Sequence, residues 1–496
     1  MRRNLSTIIL FVILIFAAYL RLYHIENYMT FLGDEGRDVL VVKRMIVDHK
    51  FTLLGPTASV GGFFLGPMYY YFMIPFLWAW KLDPVGPAVM VGLFGIATVY
   101  LVYLTGKKMF GEVAGLIASS LYAVSPLVIA YSRSSWNPNV VPFFSTLLIY
   151  LLWRLVDSRR IRDAFWIGTV LGIGIQLHYL FLFLFIFVGA WYVLNRRALP
   201  LARITGYTAI GFLIGVFPFL AFELRHGFTN TRFILQFILT GKETGVAGNY
   251  LAIVSDVTFR VFGRLLFRYP QPEVIEKLSL WYVWSLRALT ITTIVSTISV
   301  LLSSSKKLLV LWFAIIVCLF GFYNKSIYDY YFGIFFAFPF LALGYVGSAA
   351  FVHKSVQWAV VVLWAALLFF NWQGRPFVHP PNKQLAQVRT IAKTAFDQTD
   401  GKPFNFALVT SGNSDHAYRY FFEIWGNPPV VIENTQVDPD RSSVAPQLIV
   451  ICEDAGCQPL GHPLWEIAGF GRAEITGSWD VPFVKIYRLV HYEEGE

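Results

Sequence analysis

The sequence has little charge and almost no cysteine. Charged residues make up 14% of its 496 residues, three residues are cysteine, and 56% are hydrophobic. It has no Walker-type phosphate loop, no GxGxxG motif after a strand, no zinc-type spacing of His and Cys, and no repeat of fixed period. These absences count against nucleotide-binding, zinc-binding and repeat proteins. The apolar surface exceeds what a soluble core of this size needs, so the composition predicts an α-helical polytopic membrane protein.

About eleven transmembrane helices are predicted, since a span needs roughly 20 apolar residues. The first follows Arg2 and Arg3 and has no small-residue cleavage site after it, so it is interpreted as a retained helix. The predicted spans cover residues 5–23, 84–105, 112–131, 139–156, 163–177, 179–195, 204–222, 281–302, 307–323, 330–350 and 355–372.

Lysine and arginine residues predict the orientation of these spans in the cell membrane. When the apolar stretch Gly66–Trp80 is taken as a helix lying in the interface, the basic loops fall on one face. The N-terminus is then cytoplasmic, and the loops 24–83 and 223–280 lie outside together with the C-terminal region. The net charge of +10 follows mostly from this topology, and nothing indicates a nucleic-acid partner.

The composition changes after Trp372. Residues 1–375 form the predicted transmembrane domain, and residues 376–496 form a small extracytoplasmic α/β domain. Its predicted elements are a polar helix at 383–397 and strands at 404–410, 447–452 and 484–490. Cys452 and Cys457 in this domain are either a disulfide, in an oxidising compartment, or two free thiols.

The densest group of charges is Asp34-Glu35-Gly36-Arg37-Asp38, which follows the first span. A carboxylate pair just outside the hydrocarbon is a candidate for catalysis or for holding a metal ion. The alternative is that Asp34 and Glu35 begin an amphipathic helix ending at His49, where acidic residues favour the positive end of the dipole. Because Gly33 and Gly36 bracket the pair, a helix start is an incomplete account. Arg37 and Asp38 are candidates for substrate binding.

Further substrate-binding candidates lie in the other predicted external loops. Tyr69 belongs to a stretch rich in glycine and aromatic residues, which either wraps a lipid or sugar or forms an aromatic belt. Arg133 and Asn137 join two spans, where Arg133 is either a phosphate partner or an interfacial anchor, and Asn137 either contacts substrate or begins an ordinary turn. His178 is more simply explained as a polar hinge between two helices than as a substrate contact.

Basic residues are also candidates in two later loops. Arg225 follows the seventh span, and Arg260, Arg264 and Arg268 follow in the long loop. Arg264 and Arg268 lie four residues apart on a predicted amphipathic helix. This pattern is typical of anionic-lipid binding and equally of any helix lying on a membrane surface. In the last external loop, Lys325 is expected to contact a phosphate or pyrophosphate, with Tyr328 and Asp329 beside it.

These features together resemble the GT-C superfamily of integral membrane glycosyltransferases over residues 1–375. The resemblance rests on the Asp-Glu pair after the first span, the aromatic helix that begins with Gly-Pro, the Lys-Lys-Met-Phe-Gly turn at 107–111 and a Trp-Asn-Pro loop. The nearest branches are the protein O-mannosyltransferases and the aminoarabinose transferases of lipid A.

The resemblance implies transfer of a sugar from a polyprenyl-phosphate donor to a glycan, lipid or protein acceptor at the outer face. It implies that Asp34 is the base that activates the acceptor or a metal-orienting group, with Glu35 as its companion. Relatives often have an acidic residue where this chain has Asn137, which counts against a bound divalent metal, although a metal cofactor is not excluded.

Elementary chemistry agrees, because displacing a phosphate-linked sugar needs a carboxylate near the acceptor hydroxyl and cations near the leaving phosphate. The main alternative is a transporter or flippase of lipid-linked glycans, which predicts ionisable residues or broken helices near the bilayer midplane and repeated halves. The predicted spans are nearly free of charge and show no repeat. A membrane-anchored binding protein would leave the Asp34 loop unexplained.

Overall fold

The computed structural model of the chain describes residues 2–58, 62–240, 249–303, 307–323, 325–454 and 456–492. The chain divides into two compact units. The first unit comprises Met1–Ile25, Phe51–Phe72 and Pro87–Pro380, and the second comprises Glu26–Lys50, Met73–Gly86 and Pro381–Glu496. The second unit thus combines two segments near the N-terminus with the C-terminal region.

The chain is mostly α-helical. Short 3₁₀ helices lie at Asn137–Val140, Tyr179–Phe181, Asp329–Phe335 and Pro376–Val378. The α-helices, in chain order, are α1 (Arg2–Leu22), α2 (Ile25–Tyr28), α3 (Gly33–Val47), α4 (Met68–Ala79), α5 (Val85–Phe110), α6 (Glu112–Val124), α7 (Pro126–Tyr131), α8 (Val141–Asp157), α9 (Arg162–Leu177), α10 (Leu182–Leu194), α11 (Leu201–Arg225), α12 (Thr229–Thr240), α13 (Tyr250–Phe267), α14 (Pro272–Ile275), α15 (Leu280–Ser303), α16 (Lys307–Phe320), α17 (Ala337–Phe351), α18 (Gln357–Trp372), α19 (Gln384–Asp397), α20 (His416–Ile424) and α21 (Trp465–Ala468).

Several helices of the first unit are apolar enough to cross a membrane. In the described part of the chain, five pass by length and composition, and a sixth passes if the bent pair Asp329–Phe335 and Ala337–Phe351 is one span. The five are Leu5–Leu22, Val85–Phe110, Asn137–Asp157, Leu201–Arg225 and Leu280–Ser303. Shorter apolar helices lie at Glu112–Val124, Tyr179–Leu194, Lys307–Phe320 and Gln357–Trp372. The helical, multi-span fold class is therefore confirmed, whereas the count of eleven stays a prediction.

Close packing in the first unit explains why two of its helices carry glycines. Gly168 and Gly172 in α9 face Gly211 and Gly215 in α11, in two G-x-x-x-G patterns. A Cβ at Gly168 would overlap the carbonyl oxygen of Thr208, and a Cβ at Gly211 would overlap the carbonyl oxygen of Phe165. Two helices approach this closely only where their facing residues are small. The van der Waals contact between the two backbones then replaces the contact that larger side chains would make.

The second unit contains a four-stranded sheet in the order β1 (Asn405–Val409), β2 (Gln447–Cys452), β4 (Val484–His491) and β3 (Ala473–Val481). β1 and β2 are parallel, and the other pairs are antiparallel. The predicted helix and three predicted strands of this region are confirmed, whereas β3 was not predicted. β3 is an edge strand whose residues are mostly exposed or half-buried, so it lacks the apolar run that marks β1 and β2.

Cys452 and Cys457 form a disulfide whose Cα atoms are 5.9 Å apart, and Cys318 is a free thiol. Of the two alternatives left open by the sequence, the structure has the disulfide. Cys452 is buried at the end of β2 and belongs to the apolar core of the sheet in the second unit.

Helix α3 packs against α20 within the second unit. Glu423 near the end of α20 accepts hydrogen bonds from Lys43 Nζ and Arg44 Nη2, each at 3.0 Å. The amphipathic helix predicted from Asp34 to His49 is therefore confirmed as α3, Gly33–Val47. It packs against a helix that is distant in the chain, since Lys43 and Glu423 are 380 residues apart.

Candidate functional site

The Asp-Glu motif forms the first turn of α3, and Glu35 has a structural role there. Its carboxylate accepts a hydrogen bond from the Thr30 hydroxyl at 2.7 Å and one from the Leu32 N–H at 3.1 Å. This is half of a capping box, in which the third helical residue satisfies an N–H before the helix begins. Burial raises the pKa of the Glu35 carboxyl, the hydrogen bonds oppose that rise, and the neighbouring Asp34 charge adds to it. The helix-start interpretation therefore accounts for Glu35.

Asp34 differs from Glu35 because its carboxylate is exposed. Its side chain is 54% accessible, whereas that of Asp38 is fully buried. Arg37 joins the two, because it donates from Nη1 to Asp34 Oδ1 at 2.9 Å and from Nε and Nη2 to Asp38 Oδ1 at 2.9 and 2.8 Å. Asp34, Arg37 and Asp38 are thus brought together in one group, and Asp34 presents the accessible carboxylate.

The glycines on either side of Asp34 and Glu35 are explained by close contact with the start of α20. A Cβ at Gly33 would overlap Ser414 Oγ, and a Cβ at Gly36 would overlap the backbone of Ala417. The Gly33 N–H donates to Asn413 Oδ1 at 3.0 Å. The glycines on either side of the pair were noticeable in the sequence, but nothing there pointed to segment 413–417 at the start of α20, which contacts them.

His416 is a further titratable group close to this motif. Its Nδ1 lies 2.9 Å from Ser414 Oγ. Burial is the largest influence and lowers the pKa of His416; Arg37 and Arg419 lower it further, while Asp415 and Asp34 oppose them. The ring is therefore mainly neutral at neutral pH and can accept or donate a hydrogen bond near the motif.

The first unit contains its own charged cluster, at α13 and the 3₁₀ helix that begins at Asp329. Asp329 accepts from Arg260 Nη2 and Arg264 Nη2, each at 2.6 Å. The carboxylate is buried, and the Arg264 side chain is only 11% accessible. The predicted candidates Arg264 and Asp329 thus meet in one ion-pair cluster, with Arg260 as the third member.

A cavity of about 1110 Å³ opens beside this cluster. Arg287 also faces it and donates to the Tyr269 hydroxyl at 3.1 Å. Sequence reasoning missed Arg287 because it lies inside a predicted span. The cavity combines guanidinium groups, carboxylates and phenol rings, and its polar and aromatic lining includes Tyr131, Asp256, Arg260, Arg264, Tyr269, Glu273, Arg287, Tyr328, Asp329 and Tyr330.

Arg133 and Asn137 satisfy backbone carbonyls at helix ends. Arg133 is buried and donates to the carbonyl oxygens of Leu20 and Tyr23 at 2.7 and 2.8 Å, which lie at and beyond the C-terminal end of α1. Asn137 donates to the carbonyl of Leu177 at 2.7 Å, at the end of α9. The last carbonyls of a helix have no partner within the helix, so these side chains complete the helix ends.

Tyr69 and His178 are also buried in the first unit. The Tyr69 hydroxyl lies 2.8 Å from Ser135 Oγ. His178 is located at the break after α9, where its Nδ1 accepts the Leu180 N–H at 3.2 Å and its ring contacts Tyr331 with centroids 5.2 Å apart. These positions agree with the hinge interpretation of His178, and its role with substrate stays a prediction.

The remaining basic candidates, Arg268, Arg225 and Lys325, lie outside the Arg264 cluster. Arg268 donates to the carbonyl oxygen of Phe370 at 2.9 Å and stacks on that ring. Arg225 is exposed at the end of α11, and Lys325 is exposed and is not among the residues that line the cavity. Their predicted contacts with phosphate stay predictions.

Among the described residues, no group of three or more His, Cys, Asp or Glu side chains is arranged to hold a metal ion. Asp34 is paired with Arg37, and Asp329 with two arginines, so neither presents a ready-made cluster of oxygen ligands.

Comparison with known proteins agrees with this architecture. A family model described as dolichyl-phosphate-mannose-protein mannosyltransferase matches residues 67–222, which include α4 to α10 and most of α11. Among proteins with curated functions, none matches the chain.

Solved structures match over nearly the whole length. ArnT from Cupriavidus metallidurans bound to undecaprenyl phosphate is 11% identical, with 98% of each chain covered and a TM-score of 0.60. The apo state of the same protein is 10% identical, with 98% of this chain and 97% of that chain covered and a TM-score of 0.60. An Archaeoglobus fulgidus oligosaccharyltransferase is 12% identical, with 90% and 68% covered and a TM-score of 0.49.

The fold defines a class, that of helical, multi-span membrane proteins. Within that class the chain has an ArnT-like fold. The resemblance predicted from the Asp-Glu pair and the aromatic helix is therefore confirmed.

Proposed function

We propose that the protein is a membrane glycosyltransferase that moves a sugar from a polyprenyl-phosphate donor to an acceptor at the outer face of the cytoplasmic membrane. The acceptor is a glycan, a lipid or a protein. In this proposal about eleven helices cross the bilayer, the N-terminus is cytoplasmic, and residues 376–496 are extracytoplasmic. The observation that carries it is the exposed Asp34 carboxylate, held in place by Arg37 on a helix whose start is capped by Glu35.

Asp34 acts as the general base in this reaction. It takes the proton of the acceptor hydroxyl while the acceptor oxygen bonds to the anomeric carbon and the bond from that carbon to the phosphate oxygen breaks. An accessible carboxylate is required for the role, and Asp34 meets this requirement whereas the buried Asp38 does not. Glu35 supports the reaction by fixing the first turn of α3.

The cavity beside Arg260 and Arg264 is suited to a sugar phosphate. Guanidinium groups match phosphate oxygens in charge and geometry, and phenol rings such as Tyr328 offer flat faces for a sugar ring. Acidic side chains line the same cavity, so the arginines are balanced while no anion is bound, and a phosphate would compete with Asp329 for them. This assignment is made within the first unit and is independent of the assignment of Asp34.

The proposal is tested by incubating the purified protein with a panel of radiolabelled polyprenyl-phosphate sugars and with candidate acceptors, with and without EDTA. Transfer that survives EDTA supports Asp34 as the base, whereas loss that Mg²⁺ or Mn²⁺ restores supports the metal-orienting role. A different result would show that the chain is a flippase: no donor is consumed, and a lipid-linked glycan moves between the two leaflets of proteoliposomes that contain the protein.

A further inference from the structure

We propose that the disulfide-closed loop Cys452–Cys457 positions Asp34, acting through Glu453 and Asn413. The proposal rests on the catalytic role of Asp34 proposed above and assigns a role to the C-terminal part of the second unit. The residues concerned are positioning residues, because none of them needs to touch substrate.

The first link joins Asn413 to the start of α3. Asn413 Oδ1 accepts the Gly33 N–H at 3.0 Å and the N–H of Ser414 at 2.8 Å. The first N–H groups of a helix have no partner within the helix, so an outside acceptor fixes where the first turn lies. Gly33 precedes Asp34 directly, so Asn413 fixes the backbone next to the proposed base.

The second link joins Asn413 to Glu453. Asn413 Nδ2 donates to Glu453 Oε1 at 3.1 Å, which orients the amide so that its oxygen faces Gly33. Glu453 Oε1 also accepts the Tyr418 hydroxyl at 2.7 Å, and Tyr418 is buried in α20. Both bonds end on the same carboxylate oxygen, so Glu453 connects Asn413 to α20.

The third link is the disulfide itself. Cys452 ends β2, and its bond to Cys457 closes a short loop that contains Glu453 and Asp454. Asp454 Oδ1 accepts the Ser411 N–H at 3.1 Å and the Ser411 hydroxyl at 3.0 Å, so the same loop also holds the turn before Asn413. The disulfide restricts the loop to few conformations, and this keeps both carboxylates in place.

The Asn413–Gly33 bond lies outside the apolar core of this part of the unit. That core is formed by β1, β2 and β4 with the apolar residues packed on them, and neither Asn413 nor Gly33 belongs to it. Positions of reacting groups affect rate steeply, since a displacement of about 1 Å can cost on the order of 10²-fold. The chain of bonds is therefore expected to affect turnover more than stability.

The test compares Asn413→Ala with Asn434→Ala in the full-length protein. Asn434 is a matched control, because its Oδ1 also accepts two backbone N–H groups, from Gln436 and Val437, in an exposed turn of the same unit. Asn413→Ala is expected to lower kcat about tenfold or more with donor KM within about twofold, whereas Asn434→Ala leaves both near wild type.

The links are then tested against each other. Glu453→Ala should lower kcat as Asn413→Ala does, Glu453→Gln should retain most activity because an amide oxygen still accepts, and the double Ala variant should be no slower than either single variant. Cys452→Ser/Cys457→Ser should lower kcat about threefold or more, and Cys318→Ser, the control for thiol loss, should not.

Amide hydrogen exchange gives a readout that does not depend on activity. Exchange at Gly33 and the following amides of α3 should rise in Asn413→Ala and in the double Cys variant, and should stay at the wild-type rate in Asn434→Ala. Unchanged exchange at Gly33 in Asn413→Ala overturns the proposal, as does a kcat equal to that of Asn434→Ala in an active enzyme. If the wild type transfers no sugar while exchange still rises, the proposed function fails and the positioning link alone stands.

Discussion

Arg37 donates from Nη1 to Asp34 Oδ1 at 2.9 Å and from Nε and Nη2 to Oδ1 of the buried Asp38. The exposed carboxylate is therefore tied through one guanidinium to a carboxylate inside the second unit. This arrangement gives Asp34 both access and a fixed direction, the two properties that a general base requires.

Asp34→Asn should reduce turnover about 10²- to 10⁴-fold, because the amide keeps the shape of the side chain but cannot accept the proton. Expression and donor binding should stay near wild type. Glu35→Gln should lower turnover less, because glutamine also completes a capping box. Steady-state transfer assays check both variants. Near-normal transfer by Asp34→Asn would return the motif to a purely structural role.

Glu35 should make the stability of the protein depend on pH. Burial raises its pKa in the folded state above the ordinary value of 4.5, so the folded protein holds this proton more tightly than the unfolded chain. Its contribution to stability is therefore lost as pH rises from about 4.5 through the folded-state pKa. Glu35→Gln and wild type should have similar melting temperatures near pH 4. Towards neutral pH the variant should become the more stable of the two. A difference that does not change with pH would contradict this.

Arg264→Ala should weaken donor binding by ~1.5 to 3 kcal/mol, the usual loss for a hydrogen bond to a charged group. The exposed residues Lys325 and Arg225 represent the competing assignment, and their Ala variants should show a similar loss if they hold the phosphate instead. Titration of each variant with a polyprenyl phosphate distinguishes the two assignments. Full affinity in Arg264→Ala would remove the cavity from the donor site.

Arg133→Met should destabilise the protein without any special effect on donor affinity, because it leaves two carbonyls near the end of α1 without these hydrogen bonds. The expected loss is ~1.5 to 3 kcal/mol or more. Arg225→Met is the comparison, since an exposed substitution usually costs within ~0.5 kcal/mol. Thermal unfolding in detergent measures both. Equal stability of the two variants would show that the helix-end bonds are dispensable, and a selective loss of donor binding would favour the phosphate role.

The orientation is checked with reporter fusions, which read the side of the membrane directly. A cytoplasmic signal after Gly401 would overturn the predicted topology and place the C-terminal domain on the other side. Fusions after Lys108, Arg197 and Lys354 should report cytoplasm, and fusions after Lys81, Asn230 and Gly401 should report the outside.

The sequence alone determined the features that depend on local composition. Long apolar runs predicted the helical membrane class, and short strand-like runs between loops rich in Pro, Gly and Asn predicted β1, β2 and β4. The charges of residues 34–38 identified the motif that forms the first turn of α3. Each of these follows from residues that are close together in the chain, where periodicity and propensity carry information.

Only the tertiary structure decided which charged residues act together. Gly33 meets Asn413, Arg264 meets Asp329, and Arg133 reaches the end of α1, and all three contacts join segments far apart in the chain. The sequence has no periodic signal for such pairs, since burial and hydrogen bonding depend on how helices and strands pack and not on neighbours along the chain. For that reason Asp34 and Glu35, alike as adjacent carboxylates in the sequence, have different surroundings in the folded protein: the Asp34 side chain is exposed beside Arg37, and Glu35 is buried and accepts from Thr30 and Leu32.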